Sequence, residues 1–151
     1  VVGAVVGIAL VVLQRFIRTD ILGGLALFGI AMMLISAGYA LVFQDETAIQ
    51  LRPTIMGLLA GALFLVDSMS GGRYLARGMM RYVAVEGIDP VRLARAGAAV
   101  SIISASTNYA VLSLASEDTW LFYNSFGDIA LVMVLFGLAI RYATAAPVSK
   151  P

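Results

Sequence analysis

The sequence predicts an all-α polytopic membrane protein: one transmembrane helical domain over residues 1–151, with about five spans and a short amphipathic segment between the third and fourth. Three observations predict it. Hydrophobic residues make up 61% of the chain and charged residues 13%, where a soluble domain carries about 25% charge. The charges fall in short breaks between long apolar runs. Those breaks alternate in sign along the chain.

A helix crosses the ~30 Å hydrocarbon layer with roughly 20 apolar residues. The spans predicted in order are about residues 1–17, 21–43, 53–71, 91–115 and 119–142. The opening run, Val1 to Gln14, is short for a span and has no initiator Met, so its upstream end is expected to be missing. It lacks the basic leader and small-residue cleavage site of a signal peptide. Ile21 to Gln44 is free of charge, and Asp20 suits its N-cap. The third run contains one acid, Asp67, and Pro53 fits its first turn, where a missing N–H costs nothing. Asp89-Pro90 reads as the same kind of start for the fourth span, and Ser116 or Asp118 as the cap of the fifth, which contains Asp128. The runs are apolar on both phases of a two-residue repeat, which disfavours a β-barrel.

Basic residues concentrate in cytoplasmic loops. Arg15, Arg18, Arg73, Arg77, Arg81, Arg92, Arg95, Arg141 and Lys150 all fall on one side of a five-span topology. The other side holds Asp45, Glu46, Glu117 and Asp118, with Arg52 as its one basic residue. The chain is therefore expected in a bacterial inner membrane with its C-terminus cytoplasmic.

The chain has no Cys and no His. That removes thiolate nucleophiles, the common zinc and haem ligands, and the commonest general base. No metal site, cofactor or catalytic residue is expected. A net charge of +1 gives no footprint for nucleic acid.

Four features stand out. Arg73, Arg77 and Arg81 recur every four residues, with Leu75, Met79 and Tyr82 near the opposite side. This is the pattern of an interfacial helix holding anionic lipid, or of an ordinary topology-setting loop. Gly3/Gly7 and Gly57/Gly61 are spacings that allow helices to approach closely, within the bundle by default and otherwise in a homo-oligomer. Asp128 is expected roughly 12 Å below the surface, where a carboxylate needs a partner; Asn108, Ser104 and Tyr109 on the preceding span are the candidates. Asp67, nearer the opposite end, is placed to reach interfacial water or Arg73.

Three further landmarks carry a resemblance. Arg52-Pro53-Thr54-Ile55 resembles the basic-Pro-Thr-Ile start of a central helix in the intracellular septation protein A (YciB) family. Trp120-Leu121-Phe122-Tyr123-Asn124-Ser125-Phe126-Gly127 resembles that family's Trp, two residues, Phe-Lys, one residue, Phe-Gly, with Tyr123 and Asn124 at the Phe-Lys positions. Asn108 matches an Asn that its members place late in the preceding helix. The landmark residues are thus Arg52, Pro53, Thr54, Asn108, Trp120, Phe126 and Gly127. The resemblance implies an envelope role, in septation, elongation or membrane-lipid homeostasis, through contacts with lipids and with other envelope or division proteins. Two other functions fit the residues: an accessory subunit of a larger membrane complex, and a small proton-coupled transporter or lipid translocator using Asp128.

Overall fold

A computed structural model describes residues 24–83 and 85–144. The first expected span, the Asp20 cap and the Gly3/Gly7 pair lie outside these residues. Among the described residues the regular structure is all helix, and there is no strand. The helices are α1 (Gly24–Val42), α2 (Glu46–Met69), the short α3 (Leu75–Met80), α4 (Pro90–Leu114) and α5 (Glu117–Thr144). By length and apolar composition α2, α4 and α5 are each able to cross a membrane, and α1 contains a shorter apolar stretch, Phe28–Val42.

The start of α2 corrects the sequence reading. Pro53 does not open the helix. The helix begins at Glu46, and Pro53 lies inside it. Asp45 provides the stronger start: its carboxylate accepts the Ala48 N–H at 3.1 Å, and Glu46 adds an acid to the first turn. A proline two turns into a membrane helix is tolerated where neighbouring helices support the backbone. The start of α4 follows the expectation, with Asp89 accepting the N–H groups of Val91 and Arg92 at 2.8 and 3.1 Å and Pro90 first in the helix. Of the two caps considered for α5, Ser116 is the one used, through Thr119.

Burial runs opposite to that of a water-soluble bundle. Between α2 and α4 the interior is built largely of small and polar residues, Ala48, Thr54, Gly61, Ala94, Gly97, Ala98, Ala105 and Asn108, with Phe64 and Leu93 as the large apolar side chains these two helices bury. Large apolar side chains face outward, among them Leu114, Met69, Met133 and Val134 at 63–87% exposure. Such an arrangement suits a lipid solvent, which offers no penalty for exposed Leu and favours close approach of backbones over small residues.

The most extensive contact is between α2 and α4. A Cβ added at Gly57 would sit 2.9 Å from Ala105 Cβ, and one at Gly61 would sit 2.8 Å from the Ile102 side chain. The Gly57/Gly61 spacing is therefore used within the bundle. Helix α5 packs on the neighbouring side of α4, so α4 is the central helix of the three. Where α2 turns into α3, Gly71 and Gly72 take φ of +80° and +67°, and a Cβ on Gly72 would run into the Pro90 carbonyl oxygen. Only glycine lets this turn dock on the start of α4.

Helix α3 is shorter than the arginine spacing suggested. It spans six residues, so Arg73 precedes it and Arg81 caps its end. Its apolar face does not remain free for a membrane surface. Leu75 and Met79 pack with Phe64, Ala98 and Phe28, and Ala76 joins Ile88, Leu93, Ala94 and Ala143. Tyr82 is exposed, on the same footing as the arginines rather than with the apolar face.

Candidate functional site

Two polar clusters lie inside the bundle, both built on α4. The first joins three of the landmark residues. Asn108 is 2% exposed, Trp120 6% and Thr54 8%. The Asn108 Nδ2 donates to Thr54 Oγ1 at 2.8 Å, and its Oδ1 accepts the Trp120 indole N–H at 3.3 Å. All three side chains are buried, and a buried polar group needs a partner. One amide satisfies both others because it carries a donor and an acceptor. Residues 54 and 12 positions from Asn108 in sequence thus tie α2, α4 and α5 together. Arg52, two residues before Thr54, reaches α1: its Nε donates to Ser36 Oγ at 2.6 Å.

The second cluster surrounds Asp128, one turn deeper along α4. Ser104 Oγ donates to Asp128 Oδ1 at 2.5 Å, and Tyr123 OH reaches the same oxygen at 3.3 Å. Of the three partners expected from sequence, Ser104 is found. Asn108 is committed to Thr54 and Trp120, and Tyr109 is 55% exposed. Tyr123 was not foreseen, because an ordinary helix does not bring residues five apart together. Here Tyr123–Gly127 forms a π-helical turn, whose wider winding does. A Cβ on Gly127 would lie 2.8 Å from the Tyr123 ring, so the landmark glycine leaves room for that ring. The landmark Phe126 faces outward at 66% exposure and pairs with Phe122, ring centroids 5.7 Å apart.

Asp67 does not reach Arg73 or interfacial water. It is 1% exposed, and its carboxylate accepts the backbone N–H groups of Tyr74, Leu75 and Ala76 at 2.9, 3.1 and 2.9 Å. The acid at the end of α2 therefore secures the start of α3, whose first N–H groups have no partner within the helix. The Ser70-Gly71-Gly72 turn that brings α3 back over Asp67 was the available sequence signal. Arg73, Arg77 and Arg81 are all exposed. The structure does not bring them together with Asp67 or Asp128.

No buried side-chain polar atom among the described residues is left without a hydrogen bond. Nor do the described residues contain a cluster of three or more Asp, Glu, His or Cys able to hold a metal ion.

This is the architecture of a small helical membrane bundle locked by buried polar ties. Comparison with known proteins specifies it further. The sequence model of the family described as intracellular septation protein A matches residues 1–146, and the chain belongs to that family. It is 29% identical over 109 residues to the inner membrane-spanning protein YciB of Chromohalobacter salexigens, a match covering 72% of this chain and 58% of that protein. Against the protein of the same name from Rickettsia rickettsii it is 23% identical over 128 residues, covering 83% of this chain and 71% of the relative. The chain thus spans less than two thirds of the Chromohalobacter protein. No solved structure matches it.

Proposed function

We propose that the chain is a non-enzymatic protein of the bacterial inner membrane that acts in the cell envelope, at septation or in membrane-lipid homeostasis, by contacts with anionic lipid and with other envelope or division proteins. The observation that carries this reading is how the landmark residues are used. Thr54, Asn108 and Trp120 spend their polar atoms on one another and fasten three helices. Side chains devoted to holding a shape suit a protein that presents surfaces. Family membership and the names of the relatives, inner membrane-spanning proteins, support the location.

The basic side of the bundle, with Arg73, Arg77, Arg81, Arg92, Arg95 and Arg141, is assigned to the cytoplasm by the positive-inside bias. That places the C-terminus there too. The exposed Arg73, Arg77 and Arg81 are offered to anionic head groups at about 1 kcal/mol each. Purification of the tagged chain from its own membranes in a mild detergent tests the proposal. A lone or homo-oligomeric particle carrying substoichiometric division or envelope proteins is expected. Stable co-migration with a respiratory or secretory complex would overturn it in favour of an accessory subunit.

A further inference from the structure

Between α4 and α5, on the half of the bundle that carries the arginines, lies an open groove of about 340 Å³. Its floor is made of two buried alanines, Ala96 and Ala139, and the exposed Ala99 lies along its rim. Ile103 and Leu138 form its sides, and both are exposed. From Ala96 to Ile103 the groove follows two turns of helix, roughly 10 Å. Its mouth is of a different chemistry, for Arg95 and Tyr142 line it there. The Arg92 guanidinium lies 5.5 Å from the centre of the Tyr142 ring, which brings a second positive charge to that ring.

The groove is preformed, because the two helices that make it are fastened at both its ends. Beyond the mouth, the Asp89 N–H donates to the Ala143 carbonyl at 3.1 Å. Past the inner end, Ser104 on α4 bonds Asp128 on α5. The alanines between these ties keep the helices from being filled in by their own side chains.

We infer that this groove is a binding site for one anionic glycerophospholipid, its phosphate at Arg95 and Tyr142 and an acyl chain along the alanine floor. The argument is charge complementarity joined to position. Arg95 lines one end of an otherwise apolar channel, and Arg92 stands against the Tyr142 ring that lines the same end, near the helix ends where head groups lie. A basic pocket between membrane helices is a general means of holding an acidic head group. A partner helix would fill the channel without using the arginines, and a zwitterionic lipid would use them less. The site is separate from the Arg73–Arg81 segment and does not depend on it.

The test uses the purified chain titrated with dioleoyl phosphatidylglycerol or dioleoyl phosphatidylcholine, with lipid retained one-to-one counted by native mass spectrometry. Phosphatidylglycerol is expected to be held preferentially. Arg95→Gln should weaken its retention about fivefold, the factor equivalent to ~1 kcal/mol per basic group at a membrane surface, and Arg95→Lys should keep most of it. Ala99→Phe, which fills the groove and leaves every arginine in place, should abolish it. Equal retention of the two lipids would overturn the proposal. So would undiminished phosphatidylglycerol binding in Ala99→Phe, the result expected if lipid gathered only at the exposed arginines. Because the chain has no Cys, Ala99→Cys provides a further check: ready oxidation to a disulfide dimer in membranes would mean that a second copy covers the groove, and would overturn the assignment as well.

Discussion

Asn108 illustrates how much one polar residue decides inside lipid. Removing its amide orphans the Trp120 indole N–H and strips Thr54 of its donor, both in buried positions. Asn108→Ala is expected to destabilise the bundle by about 1–2 kcal/mol. An unsatisfied buried group would suggest up to ~3, but a chain unfolded within the membrane finds substitute partners. SDS denaturation in mild detergent, followed by the emission of Trp120, the only tryptophan, measures this directly. Asp67 carries a comparable load. An amide has one acceptor oxygen where the carboxylate has two, so Asp67→Asn should lose part of a three-bond cap and about 1.5–3 kcal/mol. A stability equal to that of the parent in the same titration would refute the capping role.

At the scale of elements, the join between α2 and α4 depends on what is absent. Gly57 and Gly61 meet Ala105 and Ile102 at distances that leave no room for a side chain. Gly57→Leu should force the helices apart at a cost of about 1–3 kcal/mol, whereas Gly29→Leu on α1, where a Cβ meets nothing within 4 Å, should leave stability nearly unchanged. Paired denaturation curves distinguish the two. Helix α5 shows the converse, an added feature. Its π-helical turn brings Tyr123 to Asp128 with Gly127 beneath the ring. Gly127→Ala would press a methyl against that ring, and the turn should relax, releasing Tyr123 from the carboxylate. A change in the Tyr123 ring resonances on this substitution, absent for the outward-facing Phe126→Leu, is the expected result.

The whole molecule is ordered by two gradients. Most large apolar side chains face outward while small and polar ones predominate inside, and arginines crowd one end while the other holds Asp45, Glu46, Glu117 and Asp118 with Arg52 as its one basic residue. The second gradient gives a direct topological prediction. In a chain without native Cys, Arg77→Cys should react with a membrane-impermeant maleimide only after the inner membrane is opened. Glu117→Cys, at the start of α5, should react in cells with only the outer membrane permeabilised. Labelling of both under one condition would remove the orientation, and with it the cytoplasmic C-terminus.

Much of this was legible in the residues themselves. Helical class, the approximate limits of α4 and α5 and the Asp89-Pro90 start follow from local rules: apolar length, a capping side chain, a ring without an N–H. Ser104 as a partner of Asp128 was also within reach, since antiparallel neighbours place the middle of one helix against the middle of the next. What the chain order did not contain was any choice among distant partners. Asn108 had several polar groups it could meet, and only the packing of α2 and α5 on α4 selects Thr54 and Trp120. Pro53 misled for a related reason: proline rules describe a helix in isolation, and α2 is supported by its neighbours. Asp67 reads from sequence as reaching interfacial water or Arg73 because a two-glycine turn can send the chain in many directions, of which docking on Pro90 permits one. Local propensity and lipid solvation are properties of the sequence alone; who touches whom across the bundle is set by close packing, which exists only once the helices have met.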